Sequence, residues 1–527
     1  MGLNHSCYQS GYYTEFSLVT QCGDEMISPN LPRPVLSAAQ CKALDRRAIE
    51  AMGIPGYQLM QRAAQAALAL IGQRWPSVRA ISVWVGGGNN GGDGVVLARL
   101  AQERGWQVQL VVAASDVQKS ARNEAAQAWR DLPQEVVPQI FDAHLRIRGE
   151  LIVDALLGIG VRGRVRDPIA SMIERINRAS IPVLALDQPS GLDTDLGVAA
   201  GVAVRADATL SFIANKLGWL TAQGPELAGE RYWASLGVPG ELLEQMEPYA
   251  LLTKQAQIKL ALPRRSRAAH KGDFGVLVVV GGNLGLGGSA IMTAEAALRS
   301  GAGRVILLTR SEHVSAALAR VPEVMVQGVL DPAQAREQLS QASALVIGPG
   351  LGQDDWAKAW LELAEKFEGP CLYDADALNL IANGEARVGA GSVFTPHPGE
   401  AARLLGISTA QVQADRVAAL LNLERRFGGV QVLKGAGTLC VKDGQIEVCD
   451  RGNPGMATAG MGDILSGIIG ALLVQGIAPA SAAACGVWIH ARAGDLAAAR
   501  GERGLLASDL LEQIRAAVND NEIDNQG

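Results

Sequence analysis

The chain lacks any cysteine or histidine spacing that would build it around a metal or a disulfide framework. Its seven cysteines (Cys7, Cys22, Cys41, Cys371, Cys440, Cys449, Cys485) are odd in number, scattered, and contain no C-x-x-C pair. That excludes a cystine scaffold and points to a reducing compartment. Six histidines show no H-x₃-H spacing, so no zinc site is expected. Excess positive charge is missing too: the net charge of −6 argues against a nucleic-acid surface. Residues 1–34 lack a basic segment followed by an apolar one, so they do not read as a secretory signal. The apolar run Ile464–Val474 is far short of the ~20 residues that span a bilayer, and Gln475 and Pro479 follow it. A soluble, cytoplasmic protein without nucleic-acid or membrane partners is expected.

What is present is apolar and glycine-rich. With 527 residues, 48% hydrophobic and 19% charged, large cores and more than one domain are expected. The 61 glycines suit many βα turns. Residues 1–34 carry little pattern and are expected to be a disordered lead. From Ser37, helical and strand patterns alternate to about residue 240, with strands at Ile81–Val85, Gln107–Ala113, Glu150–Asp154 and Val183–Asp187 and a helix at Val95–Gln102. Residues 237–269 read as a linker, with Pro263-Arg-Arg-Ser-Arg267 as its solvated basic run. A second series has strands at Val276–Val280, Val305–Thr309, Ala344–Ile347, Cys371–Asp374, Val393–Thr395 and Val430–Lys434. A hairpin around Lys442-Asp443-Gly444-Gln445 follows, then Ala-rich helices over 480–500 and 505–518. Continuous apolar strands separated by helices indicate parallel, doubly covered sheets. The halves do not repeat one another. The chain is therefore read as α/β with two domains, 35–240 and 250–520.

The chemistry-bearing residues fall at strand ends. Strand 81–85 runs into Gly86-Gly-Gly-Asn-Asn-Gly-Gly-Asp-Gly94, a strand–glycine–helix arrangement that suits an anion. Asp154 ends one strand and Asp187 another, the latter heading Gln-Pro-Ser-Gly. Asn90, Asp154 and Ser190 offer hard oxygens for a cation, and Asp187 is the natural acid–base group. Asn-Asn-Gly-Gly-Asp-Gly, Gly-Ile-Gly-x-Arg-Gly-Arg and Asp-x-Pro-Ser-Gly together resemble NAD(P)H-hydrate epimerase domains. The resemblance implies a Rossmann-like domain that interconverts the R and S epimers of hydrated NAD(P)H. It implies substrate binding by Asn89, Asn90, Gly91, Gly92 and Asp93, and by Gly158, Ile159, Gly160, Val161, Arg162, Gly163 and Arg164. Asp187 would be the catalytic carboxylate, with K⁺ on Asn90, Asp154 and Ser190. Gln188 departs from the apolar residue expected there and should alter packing, not chemistry.

In the second half, Asn453-Pro454-Gly455-Met456-Ala457-Thr458-Ala459-Gly460-Met461-Gly462 is a glycine-rich loop ending in Asp463, and an apolar helix follows. Close backbone approach, a helix dipole and a carboxylate beside them are the parts needed for phosphoryl transfer. Gly281-Gly-Asn-Leu-Gly-Leu-Gly-Gly288, Gly348-Pro-Gly-Leu-Gly352, Asp374-Ala-Asp376, Thr395-Pro-His-Pro-Gly-Glu400 and Lys434-Gly-Ala-Gly-Thr438 end neighbouring strands. His397, held between two prolines, reads as a ligand contact. These motifs, with His270-Lys-Gly-Asp-Phe-Gly275, resemble the ribokinase-like, ADP-dependent NAD(P)H-hydrate dehydratases. The resemblance implies ADP on Lys434, Gly435, Ala436, Gly437 and Thr438 and on Asn453 to Gly462, with Mg²⁺ accompanying it. It implies that Ala290, Gly352, His397 and Asp463 bind the S-hydrate, which loses water as ADP becomes AMP and phosphate. Both halves in this order resemble the bifunctional NAD(P)H-hydrate repair family, and a homo-oligomer is expected. A kinase for a hydroxymethyl vitamin precursor is the competing enzyme reading. An N-terminal scaffolding module is the competing non-enzymatic one.

Overall fold

The computed structural model describes residues 27–384 and 391–519. Residues 1–26 of the expected lead lie outside them. From residue 27 the expectation of a disordered lead does not hold, because Ile27–Ser28 pairs antiparallel with Glu230–Ala234 and Pro34–Leu36 pairs with Ala250–Leu252.

The chain forms two sheets with helices on both faces. The first has eight strands, in the order 27–28, 230–234, 208–212, 183–186, 151–155, 80–85, 107–112, 139–140. All pairings except that of 27–28 are parallel. Strand 80–85 sits between 107–112 and 151–155, so the strand order reverses there and leaves a crevice at the carboxyl ends. The second sheet repeats this logic, with Val276–Val280 lying between Arg304–Thr309 and Ala344–Ile347. Its central strands, Val276–Val280, Ala344–Ile347, Cys371–Tyr373, Val393–Phe394 and Val430–Leu433, are wholly buried, which is why they read as unbroken apolar runs.

Two local outcomes bear on the sites. The first glycine motif is not a loop throughout: the helix starts at Asn89 and runs to Glu103, so Gly91, Gly92 and Gly94 are helical. A Cβ at Gly91 would collide with the carbonyl of Gly86, so glycine lets the helix start press against the strand end. The apolar run after Asp463 is the helix Met461–Val474, buried on every face between the helices Gly287–Arg299 and Pro479–Ala497. The expected hairpin is present, with Asp443 and Gly444 both in the left-handed region as a two-residue turn requires.

The halves are joined more closely than a linker implies. The second sheet continues past the hairpin through Ala250–Leu252 and Pro34–Leu36 to Asn215–Lys216, so its last two strands come from the N-terminal half. Residues 250–252, inside the stretch read as a linker, are a strand of this sheet. Beside this seam Thr221 Oγ1 donates to the Gly437 carbonyl at 2.9 Å, and the Ala222 N–H donates to Ala436. Buried Arg416 donates to Thr221 Oγ1 and to the carbonyls of Leu433 and Lys434. Replacing Thr221 with Val keeps the shape but strands the Arg416 Nε–H and the Gly437 carbonyl. It should cost about 1–3 kcal/mol. The readout is a lower urea midpoint, and an unchanged midpoint would refute the role of this joint.

Candidate functional sites

At the first crevice the backbone of Asp187 adopts φ +66°. That left-handed conformation is uncommon outside glycine, though Asp tolerates it better than most. It turns the chain out of strand Val183–Leu186. Asp187 Oδ1 then meets Lys216 Nζ at 2.6 Å. The Lys216 side chain is 3% exposed and also donates to Ser211 Oγ. Burial alone would lower the lysine, but Asp187, Cys41 and Asp45 outweigh it and hold the ammonium above its ordinary value.

Beside this pair lies an oxygen cluster. Ser190 donates to both carboxylate oxygens of Asp154, from Oγ at 2.6 Å and from its N–H at 2.7 Å. Burial still pushes Asp154 up to about 6. Asn90 Nδ2 donates to the Leu157 carbonyl, which also lies 3.1 Å from Ser190 Oγ, so the three residues meet around one backbone segment. Asn90 Oδ1 is buried with no hydrogen-bond partner among the described residues. A buried carboxylate without a cationic partner and an orphaned amide oxygen together fit a monovalent cation.

The cavity over these residues measures about 960 Å³. Asn89, Asn90, Asp93, Asp187 and the whole run Gly158–Arg164 line it. Gly91 and Gly92 do not; Gly86, Gly87 and Gly88 line it instead. Gln188 is buried, donating from Nε2 to Leu192 and Gly158 carbonyls and accepting from Thr194 Oγ1 at 2.8 Å. It is a polar pin between the Asp187 turn and the 158–164 loop. Sequence reasoning missed Lys216. The signal was present as a lone charge inside the apolar run Leu210–Leu220.

At the second crevice Lys434 is the centre. Its ammonium lies 2.8 Å from Asp374 Oδ1 and 3.8 Å from Glu400 Oε2. Ser466 Oγ donates to the other Asp374 oxygen. A Cβ at Gly462 would lie 3.2 Å from Lys434 Nζ, so this lysine sits against the helix start that carries Asp463. Burial, then the charge of Asp374, pushes Asp463 up to about 6, against a hydrogen bond from Ser289 and the attraction of Lys434. Burial likewise raises Glu400.

The other expected site residues have identifiable neighbours. His397 caps the helix Pro398–Leu405, its Nδ1 accepting from the Gly399 and Glu400 N–H groups, with half of its side chain exposed. Gly352 N–H donates to Asp376. Ala290 is buried beneath Gly281 and Gly282. Asn453 bridges its loop to Asp495. The loop Lys434–Thr438 is the segment pinned by Thr221 and Arg416. Among the described residues no three His, Cys, Asp or Glu side chains are placed to hold a metal ion, and no helix is long and apolar enough to cross a membrane.

This arrangement defines a class: an α/β enzyme with two centres, each a lysine-paired carboxylate beside a glycine-rich helix start at a strand-order reversal. Family models match both halves, "YjeF-related protein N-terminus" over residues 56–218 and "NAD(P)H-hydrate dehydratase" over 277–516. The chain is 46% identical over 483 residues to the bifunctional NAD(P)H-hydrate repair enzyme Nnr of Coxiella burnetii, covering 91% of this chain and 98% of that one. It is 43% identical to the Escherichia coli enzyme of the same name, covering 93% and 95%. A solved ribokinase-like superfamily protein from Enterococcus faecalis matches 51% of this chain and 95% of its own, at 29% identity and a TM-score of 0.48. The chain belongs to the bifunctional NAD(P)H-hydrate repair enzyme family.

The raised carboxyls set the pH response. A carboxyl whose folded value is about 6 and whose ordinary value is 3.8 keeps its proton in the native state across that window. The folded state then binds more protons than the unfolded one, so stability falls as pH rises through the window. Asp463→Asn should therefore be more stable than the parent at pH 7.5, by about 1–3 kcal/mol. Thermal melting checks this, and a lower melting temperature would overturn the assigned cause.

Proposed function

We propose that the chain repairs hydrated NAD(P)H at two centres, the first epimerising the R and S forms and the second dehydrating the S form at the expense of ADP. The observation that carries this is the presence, in one chain, of two centres, the Asp187–Lys216 pair and the Asp374–Lys434 pair with Asp463 beside it. The functional units are residues 35–240 and 250–520. In the first, Asp187 exchanges the proton, while Asn89, Asp93 and the 158–164 loop hold the nucleotide. Asn90, Asp154 and Ser190 hold K⁺, which would supply the positive charge that the buried Asp154 carboxylate lacks.

In the second, Asp463 takes the proton of the C6 hydroxyl, whose oxygen attacks the β-phosphorus of ADP. AMP leaves; the C6–O bond then breaks with its electron pair going to phosphate, a proton is lost from C5 to solvent, and the C5=C6 bond that forms restores the dihydropyridine ring. The backbone N–H groups of Gly460, Met461 and Gly462 neutralise the transferring group. ADP lies along Lys434–Thr438 and Asn453–Gly462, with Ala290, Gly352 and His397 against the hydrate. Asp374 and Glu400 are committed to Lys434, and Asp376 to the Gly352 N–H. Few carboxylates remain for Mg²⁺, so the ion is expected to enter on the ADP phosphates. Assembly into a homo-oligomer is part of the same reading.

Asp187→Asn should abolish R-to-S conversion and leave ADP-dependent recovery of reduced nicotinamide from the S form; Asp463→Asn should do the reverse. Equal loss of both activities in either variant would contradict two independent centres. A stable phosphorylated alcohol as product would favour the kinase reading. Because Asp463 must be ionised to accept a proton, dehydration should fall below about pH 6. Replacing K⁺ by a bulky organic cation should lower the melting temperature of the parent; no shift, together with unchanged epimerisation, removes the cation site.

A further inference from the structure

The cavity above Asp187 has a second acid that the strand-end motifs do not supply. The helix Ala38–Met52 forms one of its walls through Cys41, Lys42, Asp45 and Ile49. That helix is fixed in place. Ser37 caps it, the Ala38 N–H donates to Asp195 Oδ1 at 2.8 Å, and Gln40 Nε2 donates to the Glu247 carbonyl at 2.7 Å. Cys41, Leu44 and Ala48 are its buried face, and Asp45 follows Cys41 by one helical turn. A carboxylate there has no packing purpose, since Leu or Met would fill the same wall without desolvating a charge.

Its neighbours decide what it can do. The ammonium of Lys216 is committed to Asp187 and Ser211. No hydrogen bond holds the Asp45 carboxyl among the described residues, and none holds that of Asp93. The groups facing Asp45 are Asp187, Lys216, Asp93, Cys41 and Lys42. Burial, then the charge of Asp187, pushes Asp45 up to about 6 against the pull of Lys216. Burial pushes Cys41 up to about 12, so the thiol does not exchange a proton readily near neutrality, and burial followed by the charges of Asp187 and Asp45 raises Asp93 well above its ordinary value. A buried acid without a cation of its own, facing the lysine-paired carboxylate Asp187 across one cavity, is the pattern of an acid and a base sharing one site.

We propose that Asp45 is the proton donor of the epimerising centre and Asp187 its acceptor. The inference rests on the reading of this cavity as the epimerase centre. The C6–O bond of the hydrate breaks with its electron pair going to oxygen, and Asp45 protonates that oxygen so that water leaves. The lone pair of the ring nitrogen closes a C=N⁺ bond to C6. Water then adds to C6 from the opposite face, its electron pair forming the new C–O bond, and Asp187 takes the released proton. The net transfer from Asp45 to Asp187 is undone by exchange with solvent or by turnover in the other direction.

The test is Asp45→Asn in the full chain, with mixed epimers as substrate and Asp187→Asn alongside. Expected is a loss of epimerisation kcat of ~10²-fold or more with little change in KM. The parent's fall in rate above about pH 6 should disappear in Asp45→Asn. ADP-dependent dehydration should be unchanged and the melting temperature not lowered. Asp45→Glu, which keeps the acid, should recover at least about a tenth of the parent rate. An Asp45→Asn rate within about threefold of the parent and the same pH profile would overturn the inference. So would a variant that melts early or loses KM and kcat together, because that marks a structural residue. If Asp187→Asn alone is dead, only the role of Asp45 is lost; if Asp187→Asn is also fully active, the reading of the centre itself falls.

Discussion

The ion pair between Lys216 and Asp187 is the contact on which the architecture turns. An ammonium that is 3% exposed is tolerable only with a charge partner in place. Asp187 supplies it, and the pair holds two structures together. Lys216 lies on the last strand of the twelve-stranded sheet, while Asp187 ends a central strand of the other. The left-handed backbone at Asp187 is over-determined by its surroundings. The Asp187 N–H donates to Leu210, the Gln188 N–H to Leu186, and the Gln188 side chain to two further carbonyls. Strain of this kind persists where packing and hydrogen bonds leave no alternative.

The same seam shapes the other centre. The Lys434–Thr438 loop has its carbonyls turned toward Thr221, Ala222 and Arg416. A Cβ at Gly437, in the left-handed region, would strike the Leu220 carbonyl, so the loop needs glycine in order to lie against the N-terminal half. The loop assigned to ADP is therefore held by residues that follow Lys216 by a few positions. Whatever moves residues 216–222 reaches both centres, so epimerisation and dehydration share mechanical support while using separate proton acceptors.

Much of this was legible in the sequence because it was local. Buried parallel strands read as apolar runs, and Asp154, Asp187, Asp374 and Lys434 each stand at or next to a strand end. The hairpin turn followed from Asp443-Gly444. What escaped was non-local. Strands Pro34–Leu36, Asn215–Lys216 and Ala250–Leu252 are two or three residues long, and only their partners make them strands. No spacing rule joins residue 35 to residue 250. The helix start at Asn89 escaped because glycines depress helix propensity, and tertiary packing overrode that. His397 read as a ligand contact from its stiff setting; one ring nitrogen caps a helix, and half of the side chain remains exposed.

The two centres sit on sheets with the same central strand order and arrive at one electrical design. In each, a lysine neutralises one carboxylate, Asp187 or Asp374, and a second acid stands in the same cleft without a lysine of its own. Burial and the first carboxylate's charge then lift that second acid, Asp45 or Asp463, to about 6. Burial is the larger of the two forces at both acids. Burial without a neighbouring charge would favour replacing the acid by an apolar side chain, and a neighbouring charge without burial would be screened by water. Together they hold a proton close to the pH at which both of its states are accessible, the condition for fast transfer in either direction. The stability lost by keeping such acids buried is the cost of having them exchange protons at neutral pH, and it is tolerable here because the lysine partners keep the remaining buried charge compensated.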